Sequence, residues 1–344
     1  MRDDGGPGPL THGSGRMGSK APGGIPGAIS KMSPLPDEQS EAEQVVAPKK
    51  EVFFYGGQAV IEGVMMRGPR HYAVAVRLPN TKEIVIQRGE LNAPIYVNPF
   101  WKLPFVRGVA LIGEQVHLGM KSLIWSVNMN AGGRDIEIGK KEITGSVAVS
   151  AVFGLLLFIG LPLLLAGLAV HRSGGFQFVL VEGVIRVGLV LGYLSLIALL
   201  PDVRRVFQYH GAEHKTINAF EAGWSLEVPQ VRRASLLHPR CGTGFLLVVL
   251  VVSVVVFSFV ALAHPNWFWL VASRILAIPV IAGAGFEAIR FMARHRTNSV
   301  VKVLLLPVLG TQKFTTREPS DDMLEVAIAA FNGAREGEEE VAAA

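Results

Sequence analysis

Two apolar runs, Ser146–Val170 and Gly244–Ala263, constrain this chain more than anything else in it. Both are built almost wholly from Val, Leu, Phe, Ala and Gly. Each reaches the ~20 residues that a helix needs to cross the hydrocarbon core of a bilayer. Phe176–Leu200 and Trp267–Phe291 are of similar length but contain Glu182 and Arg186 in one, and Arg274, Glu287 and Arg290 in the other. These two read as spans with a polar face. The expected class is a membrane α-helical protein, a four-helix transmembrane bundle made of two hairpins, 146–200 and 244–291, with a cytoplasmic α/β portion.

Charge placement sets the orientation. The connection 201–243 carries Arg204, Arg205, Lys215, Arg232, Arg233 and Arg240, whereas the turn 171–175 has only Arg172 and the turn 264–266 has no Lys or Arg. Lys and Arg collect on the cytoplasmic side of short connections. The large connection and both termini are therefore expected in the cytoplasm, and the protein in the bacterial cytoplasmic membrane. The net charge of +5 could suggest nucleic acid, but much of it flanks the spans and reads as a topology signal, so no nucleic-acid partner is expected. The bilayer is the expected partner, with a second copy or another membrane protein beside it.

Residues 1–48 are rich in Gly, Pro, Ser and charge and lack an apolar signal region, which predicts a disordered tail. Residues 51–145 read as a β-rich unit followed by an interfacial helix. In it His71–Leu78 alternates, Pro79–Lys82 has turn chemistry, and Glu83–Gln87 returns as a second strand. Phe100–Asn128 places apolar residues at helical spacing among Lys102, Arg107, Glu114, His117 and Lys121, too polar for a span and suited to the bilayer surface. The C-terminal segment 292–335 holds an apolar β-branched run, Val300–Val308, then a helix over about Asp321–Phe331. Residues 336–344 read as a disordered, Glu-rich tail.

The chemistry concentrates in the 201–243 connection. Tyr209-His210-Gly211-Ala212-Glu213-His214-Lys215 and His238-Pro239-Arg240-Cys241 gather three of the nine histidines and the sole cysteine. On a helix, His210 and His214 stand one turn apart on one face, with Glu213 flanking them. Two such imidazoles can hold one ion while a neighbouring carboxylate acts as general base, the HxxEH order of metal hydrolases. Glu213 is the expected base, and His238 or Cys241 the expected third ligand. The cofactor would be a divalent metal, with zinc the first choice for such donors. If His210, His214, His238 and Cys241 all ligate, the site is closed and structural. With no ion, the same residues bond backbone or headgroups.

Three further features complete the polar inventory. Glu221 lies about 10 Å beyond His214 along a straight helix and is cast as orienting an imidazole or a substrate. Gly56–Pro69 reads as turn geometry, with Glu62 a candidate extra carboxylate of the site because both segments share the cytoplasmic face. Glu182, Arg186 and Arg274 are costly in lipid, which predicts an interhelical Glu182–Arg274 pair shared by Arg186, with an intrahelical Glu182–Arg186 pair beside an outward-reaching Arg274, or an ion or proton pathway, as the alternatives. Glu287 and Arg290 read as a surface pair.

Gly56–Pro69, Tyr209–Lys215, His238–Thr243 and Thr315–Pro319 together resemble the YqhQ-like family of bacterial multi-pass membrane proteins, over roughly Glu51–Asn332. That family is a domain of unknown function described as predicted metal-dependent enzymes. The resemblance implies a membrane protein with a metal site and an enzymatic role, with a non-catalytic assembly or scaffold protein as the rival. HxxEH is also similar to the order in inverted zinc peptidases. The likeness stops at three residues, since no segment here supplies their distant carboxylate ligand, and peptidase activity is not carried over.

Overall fold

A computed structural model of the chain describes residues 55–91, 98–131, 140–170, 175–263, 266–295 and 297–343. The N-terminal tail, residues 132–139 and the hairpin tips 171–174 and 264–265 lie outside them. Among the described residues three helices are long and apolar enough to cross a membrane, or four if one bent pair counts as a single span. A small antiparallel sheet accompanies them.

The first of these helices is composite. α2 (Lys140–Leu155) passes through a widened turn at Leu156–Gly160 into α3 (Leu161–Ala169), following α1 (Val106–Asn130) in the chain. Pro162 has no N–H to return to the preceding turn, which accounts for the widening. α4 (Phe176–Ile197) is the second, and Pro201 opens α5 (Pro201–Glu221) after a short break at Leu199–Leu200. Proline at the first helical position gives up only an N–H that has no intrahelical partner. A short α6 (Val228–Arg232) precedes α7 (Gly242–Leu262), the third apolar helix.

The expected fourth span is not one rod. α8 (Trp267–Leu276) and α9 (Ile278–Arg294) meet at a 46° bend around Ala277, just before Pro279. Glu287 pairs with Arg107 of α1, at 2.5 and 2.7 Å, so the expected Glu287–Arg290 surface pair is replaced by a tie between helices. Close approaches are made by glycines: Gly183 of α4 against Val254 of α7, and Gly285 of α9 against Val249. Small residues at such crossings let helix backbones approach.

The C-terminal segment holds two helices, the second longer than expected. Val300–Val308 belongs to α10 (Ser299–Thr315), which packs Val301, Leu305 and Val308 against Val248 of α7. β-branched residues and Pro307 lower helix propensity, and tertiary packing overrides it. The 336–344 tail is helical as far as Ala343, because α11 (Asp321–Ala343) does not stop at Phe331. Glu338 accepts from the backbone N–H groups of Arg70 and His71 at 2.6 and 2.7 Å, and Glu336 pairs with Arg88.

The sheet runs in the order β1 (Gly56–Val60), β2 (Gly63–Arg67), β3 (His71–Arg77), β4 (Ile84–Glu90), each pair antiparallel. The hairpin read from His71 to Gln87 is β3–β4, with Val76 opposite Val85. Both faces are covered. Val64, Met66, Ala73 and Ala75 face α5 and α11, while Val60, Met65, Val74 and Val76 face Leu118, Trp125 and Met129 of α1. The two-residue period of a strand sorts these residues onto opposite sides. The resulting stack of α1, sheet and α5 with α11 brings Gly57 of β1 against Glu213.

Candidate functional site

The HGAEH segment lies in the middle of α5, and Tyr209 and Gly211 through Ile217 are buried. The His210 and His214 rings stand 4.4 Å apart, centre to centre. His210 Nδ1 lies 2.8 Å from the Thr315 carbonyl oxygen, and His214 Nδ1 lies 2.6 Å from that of Leu236. A carbonyl can only accept, so each Nδ1 donates its proton and each Nε2 carries the lone pair. His210 Nε2 is 3.3 Å from the Sγ of Cys241. One ligand atom from each of His210, His214 and Cys241 falls within 4.8 Å of the others. A tetrahedral zinc with bonds of about 2.0–2.3 Å needs ligand atoms roughly 3.5 Å apart, so small side-chain movements close this set around an ion.

Three segments hold the arrangement. Gly211 has no room for a β-carbon, because the Arg317 carbonyl lies there, and Arg317 donates its N–H to the Phe207 carbonyl at 2.9 Å. Lys215, itself buried, reaches the Arg232 carbonyl and the Glu318 carboxylate, both at 2.6 Å. Asn218 donates to the carbonyls of Ser235 and Leu237 at 2.8 and 3.0 Å, strapping the loop before Cys241 over the histidine face. Cys241 then caps α7, where the free N–H groups of the first helical turn favour negative charge.

His238 does not join the three-atom group. Its backbone is clasped by Gln312, which accepts from its N–H at 2.9 Å and donates to its carbonyl at 2.7 Å. The His238 ring centre is 5.5 Å from that of His214, and its Nε2 is 3.3 Å from Nη2 of Arg240. Arg240 in turn pairs with Glu221, which links Glu221 to the His238 ring through a guanidinium. Glu62 lies elsewhere. It sits at the β1–β2 turn with φ +52, pairs with Arg205 at 2.6 Å, and accepts from the Tyr209 hydroxyl at 3.3 Å, on the sheet side of α5. Burial, reinforced by the Glu62 charge, pushes the Tyr209 hydroxyl above its ordinary range.

Glu213 is buried between α5 and β1, where the Gly57 N–H donates to it. Burial pushes its carboxyl up to about 7, against the opposing effects of His210 and the Gly57 N–H. A β-carbon on Gly57 would stand 2.8 Å from Glu213 Cγ. Gly57 is therefore a packing requirement of this carboxylate, whereas the sequence suggested only turn geometry. Gln312 and Asn218 were also not singled out, although the Thr315–Pro319 block was.

Away from this cluster, the structure brings Glu182, Arg186 and Arg274 together. Arg274 Nη2 and Nε lie 2.5 and 3.3 Å from the two oxygens of Glu182, and Arg186 pairs with the same carboxylate while its Nη1 reaches Ser253 Oγ at 3.2 Å.

The four sequence blocks come together in space. Gly57, the HGAEH helix, the HPRC loop and the TTREP segment converge at one place, where β1, α5, α7 and the end of α10 meet. Comparison with known proteins places the chain in a family. The chain is 35% identical over 293 residues to the "Uncharacterized protein YqhQ" of Bacillus subtilis (strain 168), an alignment covering 81% of this chain and 91% of that protein. No solved structure matches it. Residues 103–336, most of the chain, match the family described as "Protein of unknown function (DUF1385)", and the chain belongs to that family.

Proposed function

We propose that this chain is a membrane-bound, metal-dependent enzyme that acts hydrolytically at the cytoplasmic face of the membrane. The observation that carries the reading is the pair of Nδ1–carbonyl hydrogen bonds, which leave the Nε2 lone pairs of His210 and His214 available within a group that also includes Cys241, whose Sγ is 3.3 Å from His210 Nε2. Metal-ligating histidines are oriented in this way by the hydrogen bond of their other nitrogen. A donor set of two imidazole nitrogens and one thiolate sulfur suits zinc, and three protein ligands leave a fourth position open, the mark of a catalytic site. An ion held there would supply Lewis-acid polarisation of a carbonyl or phosphoryl oxygen. His210, His214 and Cys241 hold and orient, Glu213 serves as the buried proton acceptor, and the 232–241 loop excludes bulk water from the histidine face. The Lys/Arg excess of the 201–243 connection supports a cytoplasmic site and cytoplasmic termini.

A second reading has one observation in its favour: the His238 ring is close enough to His214 that a loop adjustment would bring it in as a fourth ligand. The ion would then be structural and the protein an assembly or scaffold factor. Elemental analysis of gently purified full-length protein, combined with complementation by variants, separates the two. A catalytic site predicts stoichiometric metal in wild type and in Glu213→Gln, with function lost in the latter. Full function in Glu213→Gln supports the structural ion, and wild-type protein without metal sinks both.

A further inference from the structure

Glu182, Arg186 and Arg274 are 1%, 6% and 1% exposed and sit between two apolar clusters, one around Leu163, Phe178 and Leu270 and the other around Val179, Phe257 and Ile281. Two guanidinium groups share one carboxylate here. Among the described residues no other acidic side chain forms an ion pair with either arginine, so the group carries one uncompensated positive charge. The Phe257 ring, 4.3 Å from the Arg274 guanidinium carbon and 5.4 Å from that of Arg186, softens this charge without cancelling it. Arginine does not escape by losing its proton. A buried charge of this kind calls for a counter-charge.

One donor of this group is unsatisfied. Arg186 has Nη2 on Glu182 and Nη1 on Ser253, but its Nε is buried with no hydrogen-bond partner among the described residues. An oxyanion is the ligand that a guanidinium edge recognises. The bend between α8 and α9 falls at Ala277, three residues past Arg274, and interrupted helices beside buried charge are how membrane bundles build ligand sites.

We infer that the Glu182–Arg186–Arg274 triad is an anion site within the helical bundle, taking one singly charged oxyanion, a carboxylate or a phosphate ester, against the Nε edge of Arg186. The site is separate from the His/Cys cluster and does not depend on it.

The test uses full-length protein in a neutral detergent, with thermal unfolding followed against added oleate, oleyl alcohol, phosphatidylglycerol, phosphatidylcholine and inorganic phosphate. A saturable rise of about 5 °C is expected with at least one of the singly charged anions and none with its neutral or zwitterionic counterpart. Response to oleate or phosphatidylglycerol assigns a lipid source, and response to phosphate alone a soluble one. Arg186→Lys keeps the charge but loses the Nε edge, and is expected to shift the midpoint of the response at least about tenfold. Equal shifts with oleate and oleyl alcohol and none with the other anions would overturn the assignment, as would an Arg186→Lys response identical to wild type. The wild-type ligand series stands even if the variant fails to fold.

Discussion

The carbonyl oxygen of Arg317 occupies the space that a β-carbon on Gly211 would need. This contact presses the Thr315–Pro319 segment onto α5 and places the Thr315 carbonyl on His210. Gly211→Ala must push the segment away and leave His210 without its Nδ1 acceptor. A loss of about 2–4 kcal/mol of stability is expected, together with a lower metal content, read by thermal unfolding and elemental analysis of one preparation. Unchanged values of both would show that the contact constrains nothing.

Removal of ligands tests the donor set. Cys241→Ser and His214→Ala are expected to lose stoichiometric metal, whereas His238→Ala retains it, since among the described residues it is His210, His214 and Cys241 that present atoms to one centre. Treating wild type with a chelator should lower its melting temperature by the binding free energy it forfeits. Retention of metal by Cys241→Ser with loss in His238→Ala would reassign the third ligand.

Glu213 gives a pH signature. Its carboxyl titrates near 7 in the folded chain against 4.5 unfolded, because burial disfavours the charged form. The folded state thus holds a proton that the unfolded state has released. Its contribution is complete below pH 4.5 and is lost as the pH rises through about 7. In metal-free protein, Glu213→Gln should exceed wild type in stability at pH 8 by on the order of 3 kcal/mol, with the gap narrowing at pH 5. A variant less stable than wild type at pH 8 would contradict this.

Between α4 and α7, a β-carbon on Gly183 would meet Val254 Cγ2 at 2.5 Å. Gly183→Ala is expected to destabilise by about 1–3 kcal/mol, and Val254→Ala in the same chain to recover part of it. Additive losses in that double-mutant cycle would place the two helices further apart than described.

Much of this organisation was legible in the sequence, for identifiable reasons. Apolar runs announce long apolar helices because no other arrangement hides so much surface. The spacing of His210 and His214 fixes their common face once α5 is helical. That Cys241 and not His238 falls into the three-atom group was not legible, since it depends on how Gln312, Lys215 and Asn218 fasten a loop across up to 74 residues along the chain. Gly57 was misread because a glycine needed for a neighbour's side chain looks the same as one needed for a turn. The bend at Ala277 and the helicity of Val300–Val308 turn on packing that local propensity does not record. The extension of α11 turns on single carboxylates, Glu336 and Glu338, whose partners lie in the sheet.

The placement of α11 over the sheet also imposes an order on biosynthesis. The strands end at Glu90, and the helix that covers their inner face begins at Asp321, about 230 residues later. At ribosomal speeds of roughly 5–20 residues per second, the apolar face carrying Val64, Met66, Ala73 and Ala75 waits about 10–50 s for its cover. All the long apolar helices are made during that interval. The β unit is therefore a late-maturing part of the protein despite being translated early, and a ribosome stalled before residue 321 leaves behind apolar helices beside a sheet face that α5 alone covers in part.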